Sequence, residues 1–383
     1  MARLTGSTPD LASDLAPDGA TDVTAYRLTH PFRIEAVKGR IGMPDPGWLL
    51  LRPLRLGICG SDLKLYTGAR ERSALLKKLP LALLHEGVAE VVAVGSGSPF
   101  SVGQHVVPSP NVPCTIAYPD RYPDPDHACY ACRPGGAGAN YCMDGEFLSS
   151  NVDGMARTAF LHPAECTIPI PDGVGDAVAV LAEPLATVLA GLEHVTPGSD
   201  GRFLVIGNGT IGLLTLIALR AMWEAEPDRV VVTGRHWDER SEAVDGLATH
   251  VDESETATIA DLGGRIDVAF ECVGGDANAG TLAFAIDMLR PGGTGIMFGP
   301  SEGPLQFDTR KMIGKGLNIL GCNRALVRHF SEALALAARP EIGSLLERAL
   351  APKEFTVREP SDLDDAMYYA WTKTDAGRAI TLW

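Results

Sequence analysis

A glycine-rich turn in the middle of the chain constrains its fold more than any other feature. An apolar run typical of a strand precedes the turn, and an apolar run typical of a helix follows it, which is the setting that a dinucleotide-binding motif requires. In such a motif the first glycine permits the tight turn, the second lets the backbone approach a pyrophosphate, and the third lets helix and strand pack closely. The sequence therefore predicts a dinucleotide site rather than a purely structural turn, formed by Gly207, Asn208, Gly209, Thr210, Ile211 and Gly212.

The regions on either side of this turn differ in character. From about residue 172 onward, apolar strands alternate with helical runs, which indicates βαβ units around a parallel sheet. Residues 25–107 contain short apolar runs broken by Gly and Pro, which is typical of a β-rich domain. Residues 111–145 are rich in Pro, Gly and Cys and show no periodicity, although such a long irregular connection is uncommon inside a compact domain.

The end of the next predicted strand indicates which dinucleotide binds. Most NAD-binding chains place an acid there for the ribose 2′-hydroxyl, whereas this strand ends in Thr233, Gly234, Arg235 and His236. Gly234 would leave room for a 2′-phosphate and Arg235 could pair with it, so NADP(H) is favoured. The alternative is that Arg235 is a solvated loop charge, because Asp238 lies close enough to confuse the alignment.

The charge balance excludes some partners. The 383 residues include 48 acidic and 33 basic side chains, a formal charge of −15, which argues against nucleic acid or an anionic membrane surface as partner. The uncharged apolar stretch at residues 203–219 falls short of the roughly 20 residues that span a bilayer. The first 24 residues lack the pattern of a secretory signal and are expected to form a flexible arm, and we expect a cytoplasmic protein.

The β-rich part of the chain contains three residues with the chemistry of a catalytic metal site. Cys59, His85 and Glu86 offer a thiolate, an imidazole and a carboxylate, which suit a zinc ion that keeps one position open for substrate. Each residue also has a plain alternative: a buried thiol, a core histidine and a surface carboxylate. Spacing alone does not decide between the two interpretations.

The irregular segment 111–145 contains a second cysteine constellation. Four thiolates could close a tetrahedral structural zinc site and hold the segment in place. Free or partly oxidised thiols are the alternative, and His127 could replace one ligand. The remaining Cys166, Cys272 and Cys322 have apolar neighbours and are expected to be buried thiols. The four candidate ligands are Cys114, Cys129, Cys132 and Cys142.

The segments around Cys59-Gly-Ser61-Asp and His85-Glu86-Gly, together with the glycine turn, resemble the zinc-dependent medium-chain dehydrogenase/reductase family over nearly the whole chain. The resemblance implies an α/β protein in which a GroES-like β-rich catalytic domain flanks a Rossmann cofactor domain with a doubly wound parallel sheet. The implied divisions are the arm at 1–24, the catalytic domain at 25–184, the Rossmann domain at 185–324, and a C-terminal segment at 325–383 that completes the catalytic domain.

The same resemblance implies roles for individual residues. Cys59, His85 and Glu86 become ligands of a catalytic zinc, and Glu183 falls where the polyol dehydrogenase branch carries a glutamate at the metal. Ser61 matches the hydroxyl of a proton relay, and Lys64 stands where some members have a relay histidine. The cofactor site is expected to include Cys272, Val273 and Gly274, and the family implies a homodimer or homotetramer.

Further runs, at 66–70, 78–87, 270–275, 315–317 and 377–383, resemble the ribitol-5-phosphate dehydrogenase branch of the family. That branch reduces D-ribulose 5-phosphate to ribitol 5-phosphate with NADPH. A phosphosugar needs cations near the pocket, and Arg70 and Arg324 are favoured because both lie in or beside matched segments. The full set of candidate cations is Arg70, Lys77, Lys78, Arg157 and Arg324.

Two other functions stay open at this point. A dehydrogenase of an unphosphorylated polyol or cyclitol would have the same metal site and a different pocket rim. A non-enzymatic NADPH-binding sensor is also conceivable for a Rossmann fold, although the complete ligand set argues against it.

Overall fold

The computed structural model describes residues 20–196, 198, 200–252 and 261–383. The first part of the chain forms strands and short helices: β1 (Thr21–His30), β2 (Arg33–Ile41), β3 (Trp48–Gly57), α1 (Gly60–Tyr66), α2 (Arg72–Lys78), β4 (Leu81–Ala82), β5 (Glu86–Val94), β6 (His105–Pro108), β7 (Asn111–Val112), α3 (Cys114–Ala117), β8 (Glu146–Phe147), β9 (Phe160–Pro163), β10 (Thr167–Pro169), α4 (Asp176–Ala179) and α5 (Ala182–Leu192).

The middle part alternates strands and helices: β11 (Phe203–Ile206), α6 (Thr210–Trp223), β12 (Val230–Gly234), α7 (Trp237–Val244), β13 (Thr249–Asp252), β14 (Ile266–Glu271), α8 (Asn278–Met288), β15 (Leu289–Met297), α9 (Thr309–Lys315) and β16 (Asn318–Gly321). The last part is mainly helical and ends on a strand: α10 (Val327–Ala337), α11 (Pro340–Glu347), β17 (Leu350–Thr356), α12 (Pro360–Thr372) and β18 (Arg378–Leu382).

The middle part folds around a six-stranded sheet in the order β13-β12-β11-β14-β15-β16, and every pairing in it is parallel. From β11 the chain adds β12 and β13 on one side of the sheet and then β14, β15 and β16 on the other side. Ligands of such sheets bind at the carboxyl ends of the strands where the two sides meet, which here is between β11 and β14. The glycine turn follows β11, so it lies where a dinucleotide is expected. The α/β class with a parallel Rossmann sheet is confirmed.

The β-rich part is built on a seven-stranded sheet, with β10-β6-β5-β3-β18-β17 in order and β9 paired with β3. Strand β18 comes from the end of the chain and runs antiparallel to β3, with Ile380 opposite Gly57. The C-terminal strand therefore lies beside the strand that leads into Cys59. This contact between distant parts of the chain brings residues of β18 to the candidate metal site.

Separate apolar cores stabilise the two parts. Phe203, Phe270 and Phe330 are almost fully buried in a core that joins the parallel sheet to its helices, whereas Tyr66 and Phe160 are buried in a core of the β-rich part. Large side chains buried in this way each contribute about 2–3 kcal/mol of hydrophobic stabilisation. The elements that carry the candidate site therefore pack on two hydrophobic cores.

The structure differs from expectation at the N-terminus. Strand β1 begins at Thr21 and pairs with β2 along its whole length, so residues 21–24 are not part of an arm. Backbone pairing overrides the polar composition of this stretch. The rest of the expected arm, residues 1–19, lies outside the described residues. In the described ranges, no helix combines the length and apolar character that crossing a membrane requires.

Candidate active site

The candidate metal ligands line a cavity of about 400 Å³ between the β-rich part and the parallel-sheet part. Cys59 caps the N-terminus of α1 directly after β3, while His85 and Glu86 lie at the start of β5. The ligand atoms of these three residues lie within 4.8 Å of one another. The structure therefore brings together the thiolate, imidazole and carboxylate that the sequence singled out.

Gly57 makes this convergence possible. A Cβ at this position would come within 2.8 Å of Glu86 Oε2 and 2.9 Å of a Val180 methyl, both closer than ordinary contact. The end of β3 therefore approaches the Glu86 carboxylate more closely than any side chain at residue 57 would allow.

Asp62 organises the site, although the sequence analysis assigned it no role. Its buried carboxylate accepts hydrogen bonds from the Ser149 hydroxyl (2.6 Å) and from the backbone N–H groups of Cys59 and Leu84 (3.2 Å each). Its Oδ2 also lies 3.5 Å from His85 Nδ1. Burial would raise the pKa of Asp62, but the facing His85 and these donors outweigh it and hold the pKa below its ordinary value. A carboxylate behind a ligating histidine fixes the ring orientation.

Arg378 at the start of β18 is a second residue that the sequence analysis missed. The side chain is buried, with Nε 2.8 Å from Glu86 Oε2, and Nη1 donates a hydrogen bond to the Ile58 carbonyl at 3.0 Å. Its one sequence signal was its place in the matched run 377–383, and Arg378 reaches the site through the pairing of β18 with β3. The arginine provides a positive charge that can hold Glu86.

Glu183 lies in the first turn of α5 and lines the same cavity. It is buried, and burial raises its pKa to about 7. Among the described residues, the tight group within 4.8 Å comprises Cys59, His85 and Glu86 without Glu183. The expected fourth ligand is therefore at the cavity but outside the tight group.

Ser61 and Lys64 lie on α1 at the cavity wall. Lys64 Nζ donates a hydrogen bond to the Pro300 carbonyl at 3.0 Å and pairs with Glu302 Oε1 at 2.7 Å. The residue at the relay-histidine position thus links α1 to the loop after β15. Cations also line this cavity, and they include both favoured arginines: Lys64, Arg70, Lys78, Arg324 and Arg378.

The other two candidate cations are placed elsewhere. Lys77 is exposed at the surface of α2, and Arg157 packs over the Phe160 ring with its guanidinium 5.0 Å from the ring centroid. Neither residue lines the cavity. The helical geometry explains the difference between the adjacent Lys77 and Lys78, because successive helix residues point about 100° apart.

The glycine turn lies in a second cavity, of about 500 Å³, which also includes Thr233, Gly234 and Arg235. Gly207 has a φ of 109°, which favours glycine, and a Cβ on Gly212 would overlap the Gly207 carbonyl. Thr210, Ile211 and Gly274 line the first cavity, whereas Cys272 and Val273 line both cavities. Gly212 and His236 line neither of them. The two cavities therefore meet beside the end of β14.

Gly234, predicted to leave room for a 2′-phosphate, lines this cavity. A Cβ at this position would overlap the Asn208 side chain, so the glycine also makes room for Asn208. Asn208 donates to the Arg235 carbonyl at 2.7 Å and accepts a hydrogen bond from Arg240 Nη1 at 2.9 Å. Arg240, which also donates to the Thr374 carbonyl at 2.6 Å, is a second cation at this cavity that the sequence analysis did not identify. Its place in a charged helix gave no reason to prefer it over its neighbours.

Glu271 shapes the junction between the cavities. Its buried Oε1 accepts hydrogen bonds from the backbone N–H groups of Val273 (3.0 Å) and Gly274 (3.3 Å). Asn278 donates to its Oε2 at 2.9 Å. Cys272, expected to be buried, is half-buried at this junction, with its sulfur 3.7 Å from the Thr215 hydroxyl.

The four cysteines of segment 111–145 converge in a separate cluster. Their sulfur atoms lie within 4.8 Å of one another, and all four are free thiols. His127 instead pairs with Asp124 at 2.8 Å and is not in the cluster. Cys166 and Cys322 are buried as expected. The segment also contacts the loop after β16, where Arg324 Nη1 lies 3.4 Å from the Cys142 carbonyl.

Two family descriptions match the chain. The alcohol dehydrogenase GroES-like domain matches residues 45–172, which carry Cys59, His85 and Glu86, and the glucose dehydrogenase C-terminus matches residues 176–359, which carry the glycine turn. The chain therefore belongs to the zinc-dependent medium-chain dehydrogenase/reductase family, as predicted. Its enzyme class is that of the dehydrogenases.

The chain is similar to individual proteins of known name and to solved structures. Ribulose-5-phosphate reductase 1 of Staphylococcus aureus is 28% identical over 365 residues, covering 94% of this chain and 98% of the relative. The ribulose-5-phosphate reductase of Bacillus spizizenii is 28% identical over 361 residues, covering 91% and 97%. The crystal structure of S. aureus TarJ in complex with NADPH shares the fold, with a TM-score of 0.75 at 23% identity and coverage of 95% and 99%.

Proposed function

We propose that this protein reduces D-ribulose 5-phosphate to ribitol 5-phosphate with NADPH. The observation that carries the proposal is the cluster of Cys59, His85 and Glu86 in a cavity that meets the nucleotide cavity at the end of β14. The cavity is lined by several cations in an otherwise acidic protein, which favours an anionic substrate. The names of the relatives from S. aureus and B. spizizenii support the same phosphosugar.

The chemistry of the donor set fits a zinc ion. Within the described part of the chain, Glu86 Oε1 is buried without a hydrogen-bond partner, Glu86 Oε2 has the ion pair with Arg378, and Glu183 is a second buried carboxyl at the same cavity. Burying two carboxyl groups so close together lowers the stability of the fold unless further positive charge compensates them. Cys59, His85 and Glu86, with Glu183 as a further ligand, would hold the ion. A bound zinc supplies Lewis-acid polarisation of the substrate carbonyl.

The residues of the chain supply the remaining functions. Asp62 orients His85, and Arg378 holds Glu86 in place. Ser61 Oγ is the group that passes a proton to the substrate oxygen as the alcohol forms. Arg70 and Arg324 anchor the phosphate end of the substrate, since guanidinium groups bind phosphate with two parallel hydrogen bonds.

We further infer a preference for NADPH over NADH. Arg235 and Arg240 both line the nucleotide cavity near the end of β12, where the ribose 2′-phosphate would lie. Backbone groups around the glycine turn would bind the pyrophosphate. Val273 and Gly274, held by Glu271, would contact the nicotinamide end of the cofactor.

Arg235→Ala is expected to raise the Kd for NADPH about 10- to 100-fold, because a charge-assisted hydrogen bond contributes about 1.5–3 kcal/mol. The Kd for NADH should stay within about twofold, since NADH lacks the phosphate. Fluorescence titration of both cofactors measures the effect. Arg220→Ala, which removes an arginine on α6 that pairs with Glu226, is the matched control. An unchanged Kd for NADPH, or equal losses for both cofactors, would contradict the assignment.

Three further properties belong to the same proposal. The thiols of Cys114, Cys129, Cys132 and Cys142 would hold a structural zinc, because four converging thiolates suit tetrahedral coordination.

We also propose the domain divisions at residues 184/185 and 324/325, which are supported by the return of β18 to the β-rich sheet. We propose a cytoplasmic homodimer or homotetramer; the free thiols are consistent with a reducing compartment.

The function is tested by following NADPH absorbance with zinc-replete protein and either D-ribulose 5-phosphate or unphosphorylated D-ribulose. We expect a preference for the phosphosugar of about 100-fold or more in kcat/KM, equivalent to about 3 kcal/mol. Equal rates would favour the alternative polyol or cyclitol dehydrogenase. NADPH binding without turnover of either sugar, in protein that takes up no catalytic zinc when zinc is supplied, would favour the sensor.

A further inference from the structure

Lys78, the last residue of α2, differs from its neighbours on that helix. Its side chain is half-buried and lines the first cavity, whereas the adjacent Lys77 is exposed. Lys78 Nζ donates hydrogen bonds to the Ser150 carbonyl at 3.1 Å and to the Ser150 hydroxyl at 2.8 Å. The ammonium group is therefore held at a fixed place in the cavity wall rather than extended into solvent.

The charges around Lys78 are not compensated. Across the ranges that the structure describes, neither Lys78 nor Arg324 forms an ion pair with a carboxylate, and Arg324 instead stacks on the Phe147 ring, 4.4 Å from its centroid. Arg70 has a single distant acidic partner, Glu302 Oε2, at 3.9 Å. Burial first, and then the positive charges of Arg70 and Arg324, lower the pKa of Lys78. Three cations thus share one cavity, and in the described ranges the carboxylate that pairs with any of them is Glu302, 3.9 Å from Arg70.

Gathering like charges in a partly buried place destabilises a protein unless an anion joins them. The acid nearest to this group, Glu302, already pairs with Lys64 at 2.7 Å and reaches only the edge of the cation group. The same cavity is lined by the candidate metal ligands, so one molecule with an anionic group at one end can occupy both parts of the cavity. A phosphate monoester on a short sugar chain has that form.

We propose that Lys78 is the central donor of a phosphate subsite that it forms with Arg70 and Arg324, and that this subsite selects phosphorylated over unphosphorylated sugars. The inference rests on the proposed function and deepens it, because it assigns the main specificity for phosphate to a lysine on α2. Ser150 positions the ammonium group, and the two arginines flank it.

The test is Lys78→Met, with Lys77→Met as the matched control from the same helix. In Lys78→Met, KM for D-ribulose 5-phosphate should rise about 10- to 100-fold. The kcat/KM for unphosphorylated D-ribulose should stay within about twofold, and Lys77→Met should match the wild type on both substrates. If the wild type prefers the phosphosugar and Lys78→Met keeps the same KM, the subsite proposal is overturned while the proposed function stands.

Direct binding separates the subsite from the reaction. Calorimetry with inorganic phosphate, on zinc-replete protein with NADP⁺ bound, should give binding in the wild type and in Lys77→Met and a loss of about tenfold or more in Lys78→Met. This result would support the subsite even if the phosphosugar is not turned over. Equal phosphate binding by the wild type and Lys78→Met would overturn it.

Glu302→Gln provides a change of opposite sign. It removes the carboxylate that pairs with Arg70 at 3.9 Å, so the Kd for inorganic phosphate should fall about threefold or more. An unchanged or higher Kd in this variant would contradict the placement of the phosphate beside Arg70.

Discussion

His85→Ala should reduce kcat by at least about 10³-fold, the equivalent of about 4 kcal/mol in the activation free energy. His85 is buried beside Asp62, and its removal takes the imidazole nitrogen from the tight three-residue group. The Kd for NADPH should stay within about threefold, because the nucleotide cavity is formed by other residues of the parallel-sheet part. Steady-state assays measure kcat, cofactor titration measures the Kd for NADPH, and metal analysis of the same preparation measures the zinc content.

His105→Ala is the control for this experiment. His105 is an exposed histidine that pairs with Asp176 at 3.0 Å and does not line the cavity, so its loss should leave kcat unchanged. Cys59→Ser should reduce kcat in the same way as His85→Ala, since a hydroxyl is a poor substitute for a thiolate at zinc. Loss of NADPH binding together with turnover would instead indicate a folding defect. Retention of kcat with full metal content would remove His85 from the site.

Cys132→Ser should lower the free energy of unfolding by about 3 kcal/mol or more and reduce the zinc content by one ion per chain. The thiol cluster anchors a segment with little regular structure, so an ion there would replace much of the apolar burial that the segment lacks. Thermal unfolding with and without a chelator, together with metal analysis, tests the expectation. Cys166→Ala, at a buried thiol outside the cluster, should cost about 1 kcal/mol and leave the zinc content unchanged.

Cys132→Ser should also affect substrate binding. The segment contacts the loop after β16, because Asn140 Nδ2 lies 3.4 Å from the Arg324 carbonyl and Arg324 reaches back to the Cys142 carbonyl. Loosening the segment should therefore raise KM for the phosphosugar through Arg324, while the Kd for NADPH stays the same. Unchanged zinc content and stability in Cys132→Ser would show that the four thiols do not hold a metal.

The sequence by itself determined the features that depend on local patterns. The glycine turn between an apolar strand and helix predicted the nucleotide site, because its glycines meet backbone requirements set by their immediate neighbours. The residues around Cys59 and His85 identified the family, and the resemblance predicted zinc ligands that the structure brings together in part. The alternation of strands and helices identified the parallel sheet. Composition was misleading at residues 21–24, where pairing of β1 with β2 outweighs a polar sequence.

Only the tertiary structure decided which distant side chains complete the site. Arg378 contacts Glu86 because the last strand pairs with β3, and Asp62 faces His85 because α1 packs against the start of β5. Lys78 differs from Lys77 only through burial in the cavity, where two arginines from other parts of the chain join it. Such contacts have no sequence signature, since electrostatic energy depends on distance in space and on burial rather than on separation along the chain.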